Sequence, residues 1–266
     1  MTNFHTHSTW CDGKDSPAAM AEAAFRLGFS ALGFSSHAML PGEPLDWTLS
    51  AEKIPGYRDG ILRLKPLYAG KMDVFLGVEA DFVKGRCFPD RPVYSALSPD
   101  YIIGSVHFVV SPGGGEVMVD ESPASLSDGI AKHYGGDARA YVKDYFAQQR
   151  QMALSCDFDV IGHPDLVRKF NGRLGYFDES SPWYDEELEM TADAFAQSGK
   201  IVEVNTGGIA RGWIDDAYPS PAFRAKLRRR GVRFILSSDA HSAQGLDCAF
   251  GRFGNEEEYL QCPWKN

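Results

Sequence analysis

Seven short apolar runs punctuate the chain, at residues 3–7, 31–36, 74–78, 101–106, 160–162, 201–205 and 234–238. Stretches of helical periodicity lie between them, and this alternation predicts βαβ units around a parallel sheet. Ser16 and Pro17 open the first helix, whose Met20, Ala23, Ala24 and Leu27 recur at i, i+3, i+4 and i+7 before Gly28. Residues 185–198 repeat the design with Leu188, Thr191, Ala192 and Phe195 before Gly199. A third helix runs from Ser220-Pro221 to Arg230, ahead of Gly231. Residues 82–99, rich in proline, and residues 111–136, with the triplet Gly113-Gly114-Gly115, break the pattern and read as long loops of the kind used for binding or as lids.

Length then narrows the architecture. At 266 residues the chain exceeds a typical domain but suits one α/β barrel, and no linker or internal repeat divides it, so a single domain over 1–266 is expected. Hydrophobic residues make up 44% and charged residues 24%, enough apolar material for a sizeable core. The formal charge of -9 argues against a protein that grips nucleic acid by neutralising phosphates. The basic run at residues 226–230 reads as a solvated last helical turn. No signal-like or membrane-spanning segment is expected. The five scattered cysteines form no CxxC pair, which points to a reducing cytoplasm.

Chemistry enters through the histidines. Six of the seven, all but His133, stand at or just beyond the C-terminal end of an expected strand, where barrel enzymes place their active sites. His5 and His7 lie two apart on extended chain and so face the same way, and Asp239 and His241 repeat that spacing after the last run. His37, Glu79, His107 and His163 close the runs between, and Asp12 follows the first. Nine mixed nitrogen and oxygen donors exceed the four that one tetrahedral zinc takes and suit two or three transition-metal ions. Such a cluster clamps the oxygens of a phosphoryl group during in-line displacement. Glu79 is the carboxylate expected to bridge two cations. Without metal the same groups would have to form a hydrogen-bond network, a costly burial of ionisable side chains. Cys11, beside Asp12, is expected to point elsewhere.

The segments His5-Thr6-His7, Asp12-Gly13, Ser36-His37, Gly77-Val78-Glu79, Gly104-Ser105-Val106-His107, Gly162-His163-Pro164-Asp165 and Ser238-Asp239-Ala240-His241 together resemble the polymerase and histidinol phosphatase (PHP) family. The resemblance implies a distorted (β/α)7 TIM-like barrel and a trinuclear site of zinc, iron or manganese. It would place His5, His7, Glu79 and Asp239 on one ion, Glu79, His107 and His163 on a second, and Asp12, His37 and His241 on a third. Within the family, the run from Gly162 to Phe170 and the run from Glu203 to Gly208 are most similar to stand-alone histidinol-phosphate phosphatases of histidine biosynthesis. By that likeness Arg168, Arg211 and Asn205 would contact the substrate, with guanidinium groups suited to phosphate. Read alone, each arginine is a surface or ion-pair residue.

Glu79, Asp12 and His241 are the expected catalytic groups, the last two as candidate proton donors to the leaving alkoxide. The expected partner is a small phosphate ester, not nucleic acid or membrane, and the sequence leaves the oligomeric state open. Two other readings use the same residues: a nuclease or nucleotide phosphatase with the same metal cluster, and a non-catalytic scaffold, which would be expected to have lost some of the nine ligand positions.

Overall fold

The computed structural model describes residues 1–42, 45–254 and 258–264; of the expected domain, residues 43–44, 255–257 and 265–266 lie outside that description. Seven strands form one sheet in sequence order: β1 (Thr2–Asn3), β2 (Ala31–Phe34), β3 (Asp73–Asp81), β4 (Tyr101–Ser105), β5 (Val160–Ile161), β6 (Ile201–Asn205) and β7 (Phe234–Ser237). Every neighbouring pair is parallel, with registers such as Asn3↔Leu32, Glu79↔Ile103 and Asn205↔Ser237. Six fall on the apolar runs, and β1 meets the first run only at Asn3. The main helices are α1 (Pro17–Arg26), α2 (Ile54–Tyr68), α3 (Pro123–Tyr134), α4 (Ala138–Ser155), α5 (Pro182–Ser198) and α6 (Pro221–Arg229).

The sheet curls nearly into a barrel. β1 and β7 share no ladder; they meet just past their ends, where the His7 amide donates to the Ala240 carbonyl (2.8 Å) and the Ala240 amide to the His5 carbonyl (3.3 Å). Asn3 supplements these bonds: its Nδ2 donates to Ser238 Oγ (2.6 Å) and to the Leu246 carbonyl (2.9 Å), and its Oδ1 accepts from the Ser238 amide (3.3 Å).

Two apolar layers hold the strands. Inside the barrel Phe4, Ala31, Tyr101, Ile103, Val160, Ile201 and Ile235 pack together, floored by Trp264, which stacks on Tyr101 at 4.5 Å. Gly77 is required there, because a Cβ at that position would lie 2.3 Å from the Tyr101 ring. Outside, the helices bury their stripes against the strands. Leu188, Thr191, Ala192 and Phe195 of α5 are all buried, as the periodicity predicts. In α1 the buried positions are Pro17, Met20, Ala21 and Ala24, while Leu27 is 41% exposed because it is the helix C-cap and has turned off the packed face. The caps follow the sequence: the side chains of Ser16 and Ser220 accept from the amides of Ala19 and Phe223.

Two expectations change. Residues 111–136 are not one long loop; they complete an antiparallel hairpin, Phe108–Val110 with Glu116–Met118, and then form α3, capped by Ser122 and buried through Leu126 and Ile130. The basic run at 226–230 is not merely solvated. Lys226 Nζ lies 2.7 Å from Asp185 Oδ1 and 2.6 Å from Glu189 Oε1, and Arg230 Nε donates to Asp193 Oδ1 at 2.7 Å, so the run ties α6 to α5. Among the described residues no helix is long and apolar enough to cross a membrane, and no disulfide forms.

Candidate metal centre and phosphate cleft

The C-terminal ends of the strands converge on Glu79, the last inward residue of β3 but for Asp81. Glu79 is 1% exposed. Its Oε1 accepts from Ser105 Oγ (2.7 Å) and lies 3.0 Å from His163 Nε2; its Oε2 lies 2.9 Å from His37 Nδ1 and 3.2 Å from His5 Nε2. The i, i+2 pair His5 and His7 does face one way, with ring centroids 5.1 Å apart. On the other side of the barrel opening Asp239 adopts φ 51, the left-handed region that Asp tolerates better than most side chains. Its Oδ1 lies 3.2 Å from His7 Nε2, and Asp12 Oδ2 lies 3.1 Å from His241 Nε2.

The structure brings all nine donors into overlapping groups: His7, Asp12, His37 and His241; His5, Glu79 and His163; His5, His7 and Asp239; His37, Glu79 and His107. Within each group the ligand atoms lie within 4.8 Å of one another. Cys11 belongs to none of them, although its Sγ is 3.5 Å from His7 Nδ1.

These residues fit metal ions. The buried atoms His5 Nε2, His7 Nε2, His37 Nδ1 and Glu79 Oε2 have no hydrogen bond of acceptable geometry, yet all turn toward the same space. Orphaned polar atoms in a protein interior are costly unless an ion or water answers them, and imidazole with carboxylate suits zinc, manganese or iron. Charge points the same way. Burial opposes ionisation of His5, but the carboxylates of Glu203, Glu79 and Asp239 overcome it and hold its pKa well above the usual value. His107 is pushed up to about 10 against its burial by Asp81 and Glu79. Burial opposes the charge of Glu79 as well, yet His5, His37 and His107 keep its carboxyl well below the usual range. Without cations, the protonated imidazoles of His5 and His107 balance the buried carboxylates.

Two carboxylates beyond the nine donors orient the histidines. Glu203 Oε2 accepts from His5 Nδ1 at 2.9 Å, and Asp81 Oδ1 from His107 Nδ1 at 2.8 Å. Each bond leaves the opposite ring nitrogen for the shared space, the usual arrangement around a metal. The available signal was strand alternation: Asp81 lies two residues after Glu79 on β3, and Glu203 two before Asn205 on β6.

A cleft of about 600 Å³ opens above the cluster, lined by Asp12, His37, Glu79, His107, His163, Asp239 and His241, with Arg211 and Lys169 as well. Arg211 Nη2 donates to Asp239 Oδ2 at 2.6 Å. That approach depends on Gly207, where a Cβ would lie 2.6 Å from Arg211 Nη2. Arg168 does not line the cleft; its Nε donates to Glu179 Oε2 (2.6 Å) and its Nη1 lies 3.5 Å from Asp165 Oδ2. The adjacent Lys169 lines it instead, with Nζ donating to Asp120 Oδ2 (3.1 Å) and to the Asp120 carbonyl (2.9 Å). Asn205 is fully buried and also stays out of the cleft; its Nδ2 donates to Glu203 Oε1 (2.8 Å) and its Oδ1 accepts from the Gly207 amide (2.8 Å).

Comparison with known proteins adds four findings. A family model described as PHP domain matches residues 3–207. A protein of Deinococcus radiodurans named "probable histidinol-phosphatase" is 32% identical over 243 residues, covering 91% of this chain and 86% of its own. Among solved structures, a "putative histidinol phosphatase" from Listeria monocytogenes superposes with TM-score 0.85 at 22% identity, covering 96% of this chain and 100% of its own. A histidinol phosphate phosphatase from Lactococcus lactis, complexed with Zn, L-histidinol and phosphate, gives 0.63 at 18%, covering 91% and 86%.

Proposed function

The chain belongs to the PHP domain family, and on that premise we propose that it is a metal-dependent phosphomonoesterase that hydrolyses L-histidinol phosphate to L-histidinol and phosphate in histidine biosynthesis. The observation that carries the reading is the cleft itself: buried, unanswered imidazole and carboxylate atoms share one opening with the ion-paired cations Arg211 and Lys169. The name of the Deinococcus relative, at 32% identity over most of both chains, supports the substrate.

Three divalent ions of zinc, iron or manganese are assigned as follows. By the family resemblance His5, His7, Glu79 and Asp239 would hold one, Glu79, His107 and His163 a second, and Asp12, His37 and His241 a third. Such ions supply Lewis acidity and align the phosphoryl group with the attacking water. The protein's own groups do the rest. Arg211, held from behind by Asp239, and Lys169, held by Asp120, bind the non-bridging phosphoryl oxygens, where charge accumulates. Where His241 is not engaged as a ligand, its imidazole, paired with Asp12 at the partly exposed rim, would supply the proton for the leaving oxygen. Burial opposes the charge of Asp12, but the hydrogen bond from His241 and the charges of His7 and His37 keep it ionised, so that it would orient the imidazole. Glu203 and Asp81 fix the tautomers of His5 and His107.

Steady-state kinetics of the metal-loaded protein on L-histidinol phosphate, beside a panel of sugar, nucleotide and amino-acid phosphates, tests this reading. The highest kcat/KM is expected for L-histidinol phosphate; a nucleotide or a phosphodiester in first place overturns it. Elemental analysis is expected to find more than one transition-metal ion per chain.

A further inference from the structure

The two cations assigned to the phosphoryl group stand on different loops. Lys169 is the C-cap of the 3-10 turn Leu166–Arg168, which follows β5, and Arg211 is the C-cap of the short helix Gly207–Ala210, which follows β6. Each charged tip has its own carboxylate, Asp120 for Lys169 and Asp239 for Arg211. Neither carboxylate lies on the other cation's loop, so these pairs leave the spacing of the two loops open. Among the described residues no hydrogen bond or ion pair joins residues 166–174 to residues 207–216; the bond from the Ser220 amide to Asp165 Oδ2, at 2.7 Å, joins residues that flank them.

Aromatic contact joins the loops instead. Phe170, next to Lys169, is 1% exposed, and the ring of Trp213 meets it nearly at right angles, centroids 4.7 Å apart at 80°. Lys169 Nζ lies 5.3 Å from the centre of the same Phe170 ring. Three residues on from Phe170, Arg173 lays its guanidinium over the indole of Trp213, with Cζ 3.9 Å from the centroid. Arg173 is exposed and has no carboxylate partner among the described residues, so the indole is what holds it. Trp213 in turn belongs firmly to the Arg211 loop, where its amide donates to the Gly208 carbonyl at 2.9 Å. One side chain of the Arg211 loop is thus gripped by two side chains of the Lys169 loop.

We infer that Trp213 is a positioning residue for phosphate: gripped by Phe170 and Arg173, it sets the separation of the loops that carry Lys169 and Arg211, and with it the distance between the two cations that close on the phosphoryl oxygens. The inference rests on the phosphomonoesterase reading and extends it to residues that touch neither metal nor substrate. The physical gain is preorganisation. Two cations on independently moving loops must be brought to one geometry when the anion arrives, whereas braced loops hold that geometry beforehand.

The test is binding of inorganic phosphate to metal-loaded protein by calorimetry, so that it does not depend on turnover. Trp213→Leu is expected to weaken phosphate about 10-fold with metal content unchanged, and Trp213→Phe, which keeps a ring for both neighbours, to restore most of that loss. Arg173→Gln, which removes only the exposed cation from the ring, should weaken phosphate about 3-fold. A double-mutant cycle separates positioning from general loosening. In a Lys169→Ala background one cation of the pair is gone and no spacing is left to set, so Trp213→Leu should there lose most of its effect. The same 10-fold loss in both backgrounds, or parental phosphate affinity in Trp213→Leu, overturns the inference. Should Trp213→Leu not fold, Arg173→Gln is carried through the same cycle and judged by the same two outcomes. Phosphate affinity that is indifferent to both Lys169→Ala and Arg211→Ala would instead defeat the phosphate assignment itself, and the inference with it.

Discussion

Glu203 offers the sharpest test at the level of single residues. It is fully buried and bonds to two of the candidate ligands at once: Oε2 accepts from His5 Nδ1, while Oε1 accepts from the His163 amide at 2.6 Å. Glu203→Gln keeps the shape but replaces one strong acceptor with an amide. Metal affinity, measured by chelator competition, is expected to fall about 10- to 100-fold; unchanged affinity would mean that Glu203 serves packing alone.

The cations give a second test. Removing one charge-assisted phosphate contact costs about 2–4 kcal/mol of transition-state binding, or roughly 30- to 1000-fold in kcat/KM. Arg211→Ala and Lys169→Ala are expected to show such losses with metal content intact and with weaker inhibition by phosphate. Arg168→Ala separates the two accounts of that position. A comparable loss would place Arg168 on the substrate, and near-parental kinetics with lowered stability would place it in its pair with Glu179.

That the nine side chains converge was legible in the sequence, because i, i+2 spacing and strand ends fix direction. Arg168 against Lys169 was not, because they are neighbours in a single 3-10 turn, Leu166–Arg168 and its C-cap, where one step redirects the side chain.

At the level of elements, α5 shows what the periodicity carries. Phe195 is fully buried between α5 and α6, its ring 6.0 Å from that of Phe223. Phe195→Ala is expected to cost about 3–5 kcal/mol in chemical denaturation, with the metal-loaded site otherwise unaltered. α3 escaped the same reading although Ser122-Pro123 is the start signal seen at Ser16-Pro17 and Ser220-Pro221. Its buried stripe amounts to Leu126 and Ile130, and the glycine triplet just before it reads as a breaker. The short strands were found by their apolar content, but α4 carries a mixed surface, burying Gln148 and Gln149 beside Tyr145 and Phe146, so hydropathy alone marks it poorly.

Across the whole molecule the buried charges couple stability to pH. In metal-free protein the folded-state pKa values of His5 and His107 are raised, so their contribution to stability is fully present below 6.5, the unfolded value, and is lost as pH rises through the folded one, about 10 for His107. Chelator-treated protein is therefore expected to lose stability between about pH 6.5 and 10, a loss that thermal denaturation at stepped pH would record. Metal-loaded protein should not share it, because its ligands are already deprotonated. A metal-free profile flat across that range would contradict the charge balance described above.

The open join between β1 and β7 has a mechanical corollary. Where the other strands share a ladder, this seam is stitched by two backbone bonds and the side chain of Asn3, and it is the natural place for the barrel to unzip. His5 and His7 lie on one lip, Asp239 and His241 on the other. An ion gripping both lips is a clasp as well as a catalyst, and the amides of His7 and Ala240 should report it. Their hydrogen exchange is expected to slow on metal loading far more than that of the β3–β4 ladder; equal slowing in both places would show that the gain is global and that the seam has no special weakness.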